Sequence, residues 1–198
     1  MLVCAAIGAR ANAITIVEQA TGNGSLDGQA FSAALITLTF TGDTNNIFVL
    51  GQSILLNGTA TVSVAGQGSD TFTDTIEGYV VDSFGDAGIA DKSVSSFIVI
   101  LESDSSLFNT YGLNTSIGPV DATPSLSGQT FPTVSGQFRI TSLTTIDDTT
   151  SEFYTATVGG VPEPGSFLLL AAGIAGLAAI SRRESRWFAA KLPGTGPR

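Results

Sequence analysis

The segment ALITLTF, residues 34 to 40, places apolar Ile36, Leu38 and Phe40 in alternation with Thr37, Thr39 and Thr41. A period of two sends one set to a buried face and the other to solvent, which a strand satisfies and an amphipathic helix cannot. The same beat returns along the chain. Ala60, Val62 and Val64 alternate with Thr59, Thr61 and Ser63; Phe138 and Ile140 flank Arg139; in EFYTATV, Phe153 opposes Tyr154, Ala156 and Val158. SFIVIL, around Phe97 to Leu101, is apolar without interruption and predicts a central strand covered on both faces. Asn57-Gly58 between two apolar runs predicts a hairpin turn. With Gly, Asn, Asp or Pro at the breaks, residues 14–158 read as about eight strands and no convincing helix. The expected fold class is all-β, an antiparallel two-sheet sandwich of jelly-roll-like form. Residues 116–133, SIGPVDATPSLSGQTFPT, read as a long turn-rich connection.

The side chains that carry chemistry are few. At 198 residues the chain holds one ordinary domain plus processing segments. It has no histidine, and its one cysteine is Cys4. That removes Ser-His-Asp and Cys-His arrangements and the usual zinc ligands. Between Ile14 and Gly160 the only cations are Lys92 and Arg139, against fifteen Asp and Glu. Such a surface repels phosphates, so nucleic acid is excluded as a partner. No catalytic residues are assigned, and the chain reads as a non-enzyme.

The remaining candidates are carboxylates. Asp82, Asp86 and Asp91 in DSFGDAGIAD are expected in one glycine-containing loop with oxygen ligands for calcium, the one cofactor the sequence suggests. Their spacing is not that of an EF-hand, and a plain acidic turn is the competing reading. Asp43 with Asn45 and Asn46 is a similar but poorer set. Asp147 and Asp148 are adjacent, so on a strand they point to opposite faces and do not define a glycosidase pair. Lys92 is expected to be solvated, and Tyr79, Tyr111 and Tyr154 to be packing residues.

Both ends read as processing segments. Residues 1–13 resemble the back half of a secretory signal, with Ala11-Asn12-Ala13 as an A-x-A cleavage site. The basic start of such a signal is missing, so the expectation is a true start further upstream. Residues 159–164 are a linker and a Pro-Glu-Pro motif. Gly165 to Ser181 are seventeen uncharged residues, about 25 Å as a helix against a hydrocarbon core of ~30 Å. This segment is expected to form a single C-terminal hydrophobic helix. Arg182 and Arg183 open a basic tail, 182–198, that stays cytoplasmic by the positive-inside rule.

Val161-Pro162-Glu163-Pro164, the apolar span and Arg182-Arg183 together resemble the PEP-CTERM sorting signal of exported proteins in Gram-negative, exopolysaccharide-producing bacteria. The resemblance implies recognition at Pro-Glu-Pro by the membrane enzyme exosortase, with the arginines as a stop-transfer signal. It also implies an inner-membrane intermediate and a final place at the cell surface or outside it. This chain departs from the pattern by continuing through residues 184–198. The segment from Leu107 to Val120 resembles, more loosely, bodies found in such proteins. The expected function is an exported, non-enzymatic envelope or matrix protein of the biofilm kind, processed by signal peptidase and exosortase, with exopolysaccharide as a possible partner. The alternatives are a calcium- or polysaccharide-binding module and, less favoured, a carboxylate-dependent glycan hydrolase.

Overall fold

The computed structural model describes residues 12–92, 97–144 and 153–160. Contacts divide the chain into two units, Met1–Val161 and Pro162–Arg198, and every described residue lies in the first. The expected helix over 165–181 and the Asp147-Asp148 pair lie outside the described residues. Among the described residues no helix is long and apolar enough to cross a membrane.

The domain is antiparallel β, as the alternation predicts. Two fifteen-residue strands, β1 (Asn12–Leu26) and β2 (Gln29–Asp43), form a hairpin over almost their whole length. The chain continues through β3 (Phe48–Leu50), β4 (Ser53–Val64), β5 (Gly68–Thr71), β6 (Ile76–Val81), β7 (Asp86–Asp91) and β8 (Ile98–Asp104). Five more follow: β9 (Ile117–Asp121), β10 (Thr123–Ser125), β11 (Thr130–Pro132), β12 (Gln137–Leu143) and β13 (Phe153–Gly160). The hydrogen-bonded order is β10-β8-β7-β6-β4-β2-β1-β12-β11, with β13 also on β1.

This order corrects the jelly-roll expectation. From β1 to β8 the neighbours mostly follow the chain, a meander rather than a crossing pattern, and the two layers are halves of one continuous ladder. Strand length is the cause. β1 pairs with β13 over Asn12–Gln19 and then with β12 over Gly22–Leu26, with a register shift between Asn23 and Gly24 inside the second pairing. Its fifteen residues are therefore long enough to pair with two strands in succession along one edge. At one end the ladder closes on itself: Thr73 N–H donates to Pro132 O and Val134 N–H to Thr71 O, at 3.2 and 2.9 Å. Phe72 sits at this seam, edge-on to Phe131 and Phe138. The turn-rich stretch 116–133 contains the short strands β9, β10 and β11.

The core follows the predicted faces. Ile36, Leu38, Phe40, Val62 and Phe138 are fully buried, while Arg139 is exposed. Asn57-Gly58 is not a turn. It lies inside β4, where Gly58 faces Gly42 of β2 and Ile76 of β6. A β-carbon on Gly58 would fall 2.2 Å from Thr41 O and 2.5 Å from the Phe40 ring, so the residue is there for space. SFIVIL is likewise not central, since β8 has only the three-residue β10 beyond it. Its unbroken apolarity has another origin: a register shift at Ile89/Ala90 turns both Ile100 and Leu101 inward.

Gly58→Ala is expected to lower unfolding stability by about 2–3 kcal/mol through overpacking, read as a lower urea midpoint. A midpoint equal to that of the parent would show that Phe40 does not press on this backbone.

Candidate functional site

One row of residues crosses the outer face of the β4–β6–β7–β8–β10 layer. The register pairs Leu55 with Tyr79, Tyr79 with Gly88, Gly88 with Glu102, and Glu102 with Ser125. Gly88 leaves the row open in the middle. A β-carbon there would lie 3.0 Å from Tyr79 Cε1, and the ring uses that space to reach across β7. The Tyr79 hydroxyl donates to Glu102 Oε2 at 2.5 Å, and the Ser125 hydroxyl donates to Glu102 Oε1 at 2.9 Å. Burial, and then the Glu102 carboxylate itself, hold the Tyr79 hydroxyl far above its ordinary pKa, so it remains a donor.

Beside this row runs a groove of about 410 Å³. Phe97, Ile98 and Val99 form one side; Ser125, Leu126, Ser127 and Gln129 form the other. Phe97 is 46% exposed and stands edge-on to Tyr79, with centroids 4.7 Å apart at 80°. The Tyr79–Glu102–Ser125 chain therefore links one wall to the other.

The inner face of β8 carries a second polar group. Ser103, next to Glu102 but pointing into the core, donates to Glu18 Oε1 at 2.9 Å. Glu18 lies on β1, is fully buried, and faces Tyr154 of β13 across the ladder. Its other oxygen, Oε2, and the Tyr154 hydroxyl are buried with no hydrogen-bond partner. Burial raises the Glu18 carboxyl well above the usual carboxylate range. The Ser103 bond opposes this, nearby Glu102 adds to it, and the Ile89 backbone amide opposes it. Glu18 thus keeps its proton when an exposed glutamate has lost its own.

The calcium candidates do not meet. Asp82 is exposed in the β6–β7 turn, Asp86 begins β7, and Asp91 ends it, buried. Asp86 and Asp91 stand at opposite ends of an extended strand, about 17 Å apart. Asp86 instead faces Asp104 on β8. Its pKa is raised by burial and then by the charges of Glu102 and Asp104. Among the described residues no cluster of three potential ligands can hold a metal ion. Asp43 caps a short 3₁₀ turn by accepting from the Asn45 amide at 3.0 Å. Lys92 is not simply solvated: its Nζ lies 2.6 Å from Oε1 of the buried Glu77 and 3.2 Å from Asn57 Oδ1. Tyr79, Tyr111 and Tyr154 are buried, as expected of packing residues. The Tyr79–Glu102–Ser125 row had no sequence signal, because its members are brought together only by register.

Of the candidate cleavage site, Ala13 lies in β1 opposite Gly159, and Asn12 opposite Gly160; Ala11 is outside the described residues. The first and last described residues are therefore ladder partners. The domain is an antiparallel β-body whose last strand runs directly into the Pro-Glu-Pro segment. Residues 160–183 match the family model for the PEP-CTERM protein-sorting motif. The chain thus carries this motif, which marks an exported protein processed by exosortase in the membrane and passed to the cell surface. The match spans Val161, Pro162, Glu163, Pro164, Arg182 and Arg183, all outside the described residues. No curated protein and no solved structure matches the chain.

Because Glu18 binds its proton more tightly folded than unfolded, its own contribution to stability is fully present at and below the ordinary carboxylate range. It then falls as pH rises towards the folded-state pKa, by up to about 1.4 kcal/mol per pH unit. Glu18→Gln is expected to flatten this decline when unfolding free energy is measured by urea between roughly pH 5 and 8. An unchanged slope in the variant would mean that Glu18 is ionised in the folded domain.

Proposed function

We propose that the β-domain is a non-enzymatic component of the cell envelope or extracellular matrix, delivered as a processed, metal-independent body. The observation that carries this reading is the sorting-motif match beginning at Gly160, the residue where β13 ends. Signal peptidase acting after Ala13 and exosortase acting at Pro-Glu-Pro would trim two ends that lie side by side on β1 and β13. The inner membrane is then a station and not a destination.

A glycan hydrolase would need two carboxyls flanking one bond, at about 5–9.5 Å. No carboxylate lines the groove, and Glu102 behind it is engaged by Tyr79 and Ser125. The calcium-binding alternative loses its ligand set with the separation of Asp86 from Asp91. A polysaccharide-binding module is the second reading, favoured by the groove with its exposed Phe97.

The test is intact mass with C-terminal peptide mapping of the protein recovered from its native cells. The expected form begins near Ile14 and ends close to Pro164. A protein that still carries Arg182 would instead be stably anchored, and delivery by sorting would be refuted.

A further inference from the structure

We propose that the groove between β8 and the segment after β10 binds an uncharged polysaccharide, with Phe97 as its stacking surface and Gln129 and Ser127 as its polar contacts. This deepens the second reading above and rests on it.

Three observations carry the assignment. The first is that the walls are held before any ligand arrives. Phe97 is an exposed ring set against the fully buried Tyr79, whose hydroxyl is fixed to Glu102. The other oxygen of Glu102 is held by Ser125 on the opposite wall. The Phe97 and Ser125 parts of the surface are thus fixed in advance, which lowers the ordering cost of binding.

The second is the chemistry of the lining. Phe97, Ile98, Val99 and Leu126 give apolar surface, while Ser125, Ser127 and Gln129 offer neutral hydroxyl and amide groups, with no charged side chain among them. A sugar ring is built in the same two parts, an apolar C–H face and a rim of hydroxyls. Its face suits an aromatic ring, and its rim suits an amide that both donates and accepts. The groove is an open trough, so a polymer can lie through it where a small molecule would stay largely wet.

The third is charge. Glu102 stands directly behind the groove, and Asp86 and Asp104 follow on the same outer face of β7 and β8. An anionic glycan would approach these acids; the nearby Arg139, whose Nε donates to the Gly128 carbonyl at 3.1 Å, is not in the lining. A neutral chain meets no such barrier.

The experiment is affinity electrophoresis of the processed protein through gels containing dextran, galactomannan or hydroxyethylcellulose, with polygalacturonate as the anionic probe. At least one neutral polymer is expected to retard the protein, and polygalacturonate is not. Phe97→Ala is expected to weaken that retardation about tenfold, and Gln129→Ala severalfold. Phe97 also packs on Tyr79, so Gln129→Ala, at an exposed position, separates binding from folding; its thermal midpoint should equal the parent's. The proposal is overturned if no neutral polymer retards the protein, if polygalacturonate does so equally, or if both variants bind as the parent does. A protein trimmed at both ends that ignores every neutral polymer refutes the groove alone. One that binds but retains Arg182 refutes the sorting reading alone.

Discussion

The fold turns on the Phe40 ring. It projects from β2 into a space left by glycines on three strands: Gly42 on β2 itself, Gly58 on β4 and Gly78 on β6. β-carbons at these positions would lie 3.1, 2.5 and 3.0 Å from the ring, closer than ordinary contact allows. At Gly78 the Ile16 side chain of β1 closes in as well, at 2.9 Å, so strands from both layers converge on one residue. Close-packed interiors admit few rearrangements at such a point. The layers can approach only where the backbone carries no side chain, and this sets where β4 passes from pairing β6 to pairing β2. The outer row, with Tyr79 one residue after Gly78, is positioned by the same approach.

β8 shows how one strand serves two environments. Glu102 and Ser103 are neighbours in sequence and point to opposite faces, as the pleat requires. Outward, Glu102 gathers Tyr79 and Ser125 and fixes the groove; inward, Ser103 meets Glu18 in the core. Both arrangements are acidic and neither contains a cation. Glu18 resolves this by keeping its proton, because desolvation in the core costs more than protonation does. Glu102 resolves it through two hydroxyl donors at a position that is only part-buried. The register shift at Ile89/Ala90 turns Ile100 and Leu101 inward together, so that both belong to the core.

What was legible in the sequence was the period of two. It identified the buried faces of β2, β4 and β12 at Ile36, Leu38, Phe40, Val62 and Phe138, and separated Phe153 from the buried Tyr154 and Ala156 on β13. Local chemistry was less reliable. Asn-Gly favours a tight turn, yet at Asn57-Gly58 the demand of Phe40 for space overrides that preference and the strand runs on. The Asp82, Asp86 and Asp91 spacing looked like a loop because glycines intervene. Gly88 proved instead to be a strand residue that makes room for Tyr79, and the acids were drawn apart along β7. The groove could not be read at all, since it depends on which of two adjacent acidic or polar side chains faces outward and on a register set far away. The sorting motif was legible, because a linear signal read by an enzyme does not wait for a fold.

That contrast bears on how the two ends of the domain work. A linear signal must be accessible, whereas a strand end is stable only when paired. β13 reconciles these needs by pairing with β1 up to Gly160, where the motif match begins. The last rungs, Ala13 with Gly159 and Asn12 with Gly160, place small or polar residues opposite one another and bury little apolar surface. Cutting β1 back to Ile14 removes those rungs and leaves Ile14 facing Val158, the first apolar pair of the ladder. Among the described residues the core therefore begins at Ile14, the residue that follows the expected cleavage after Ala13.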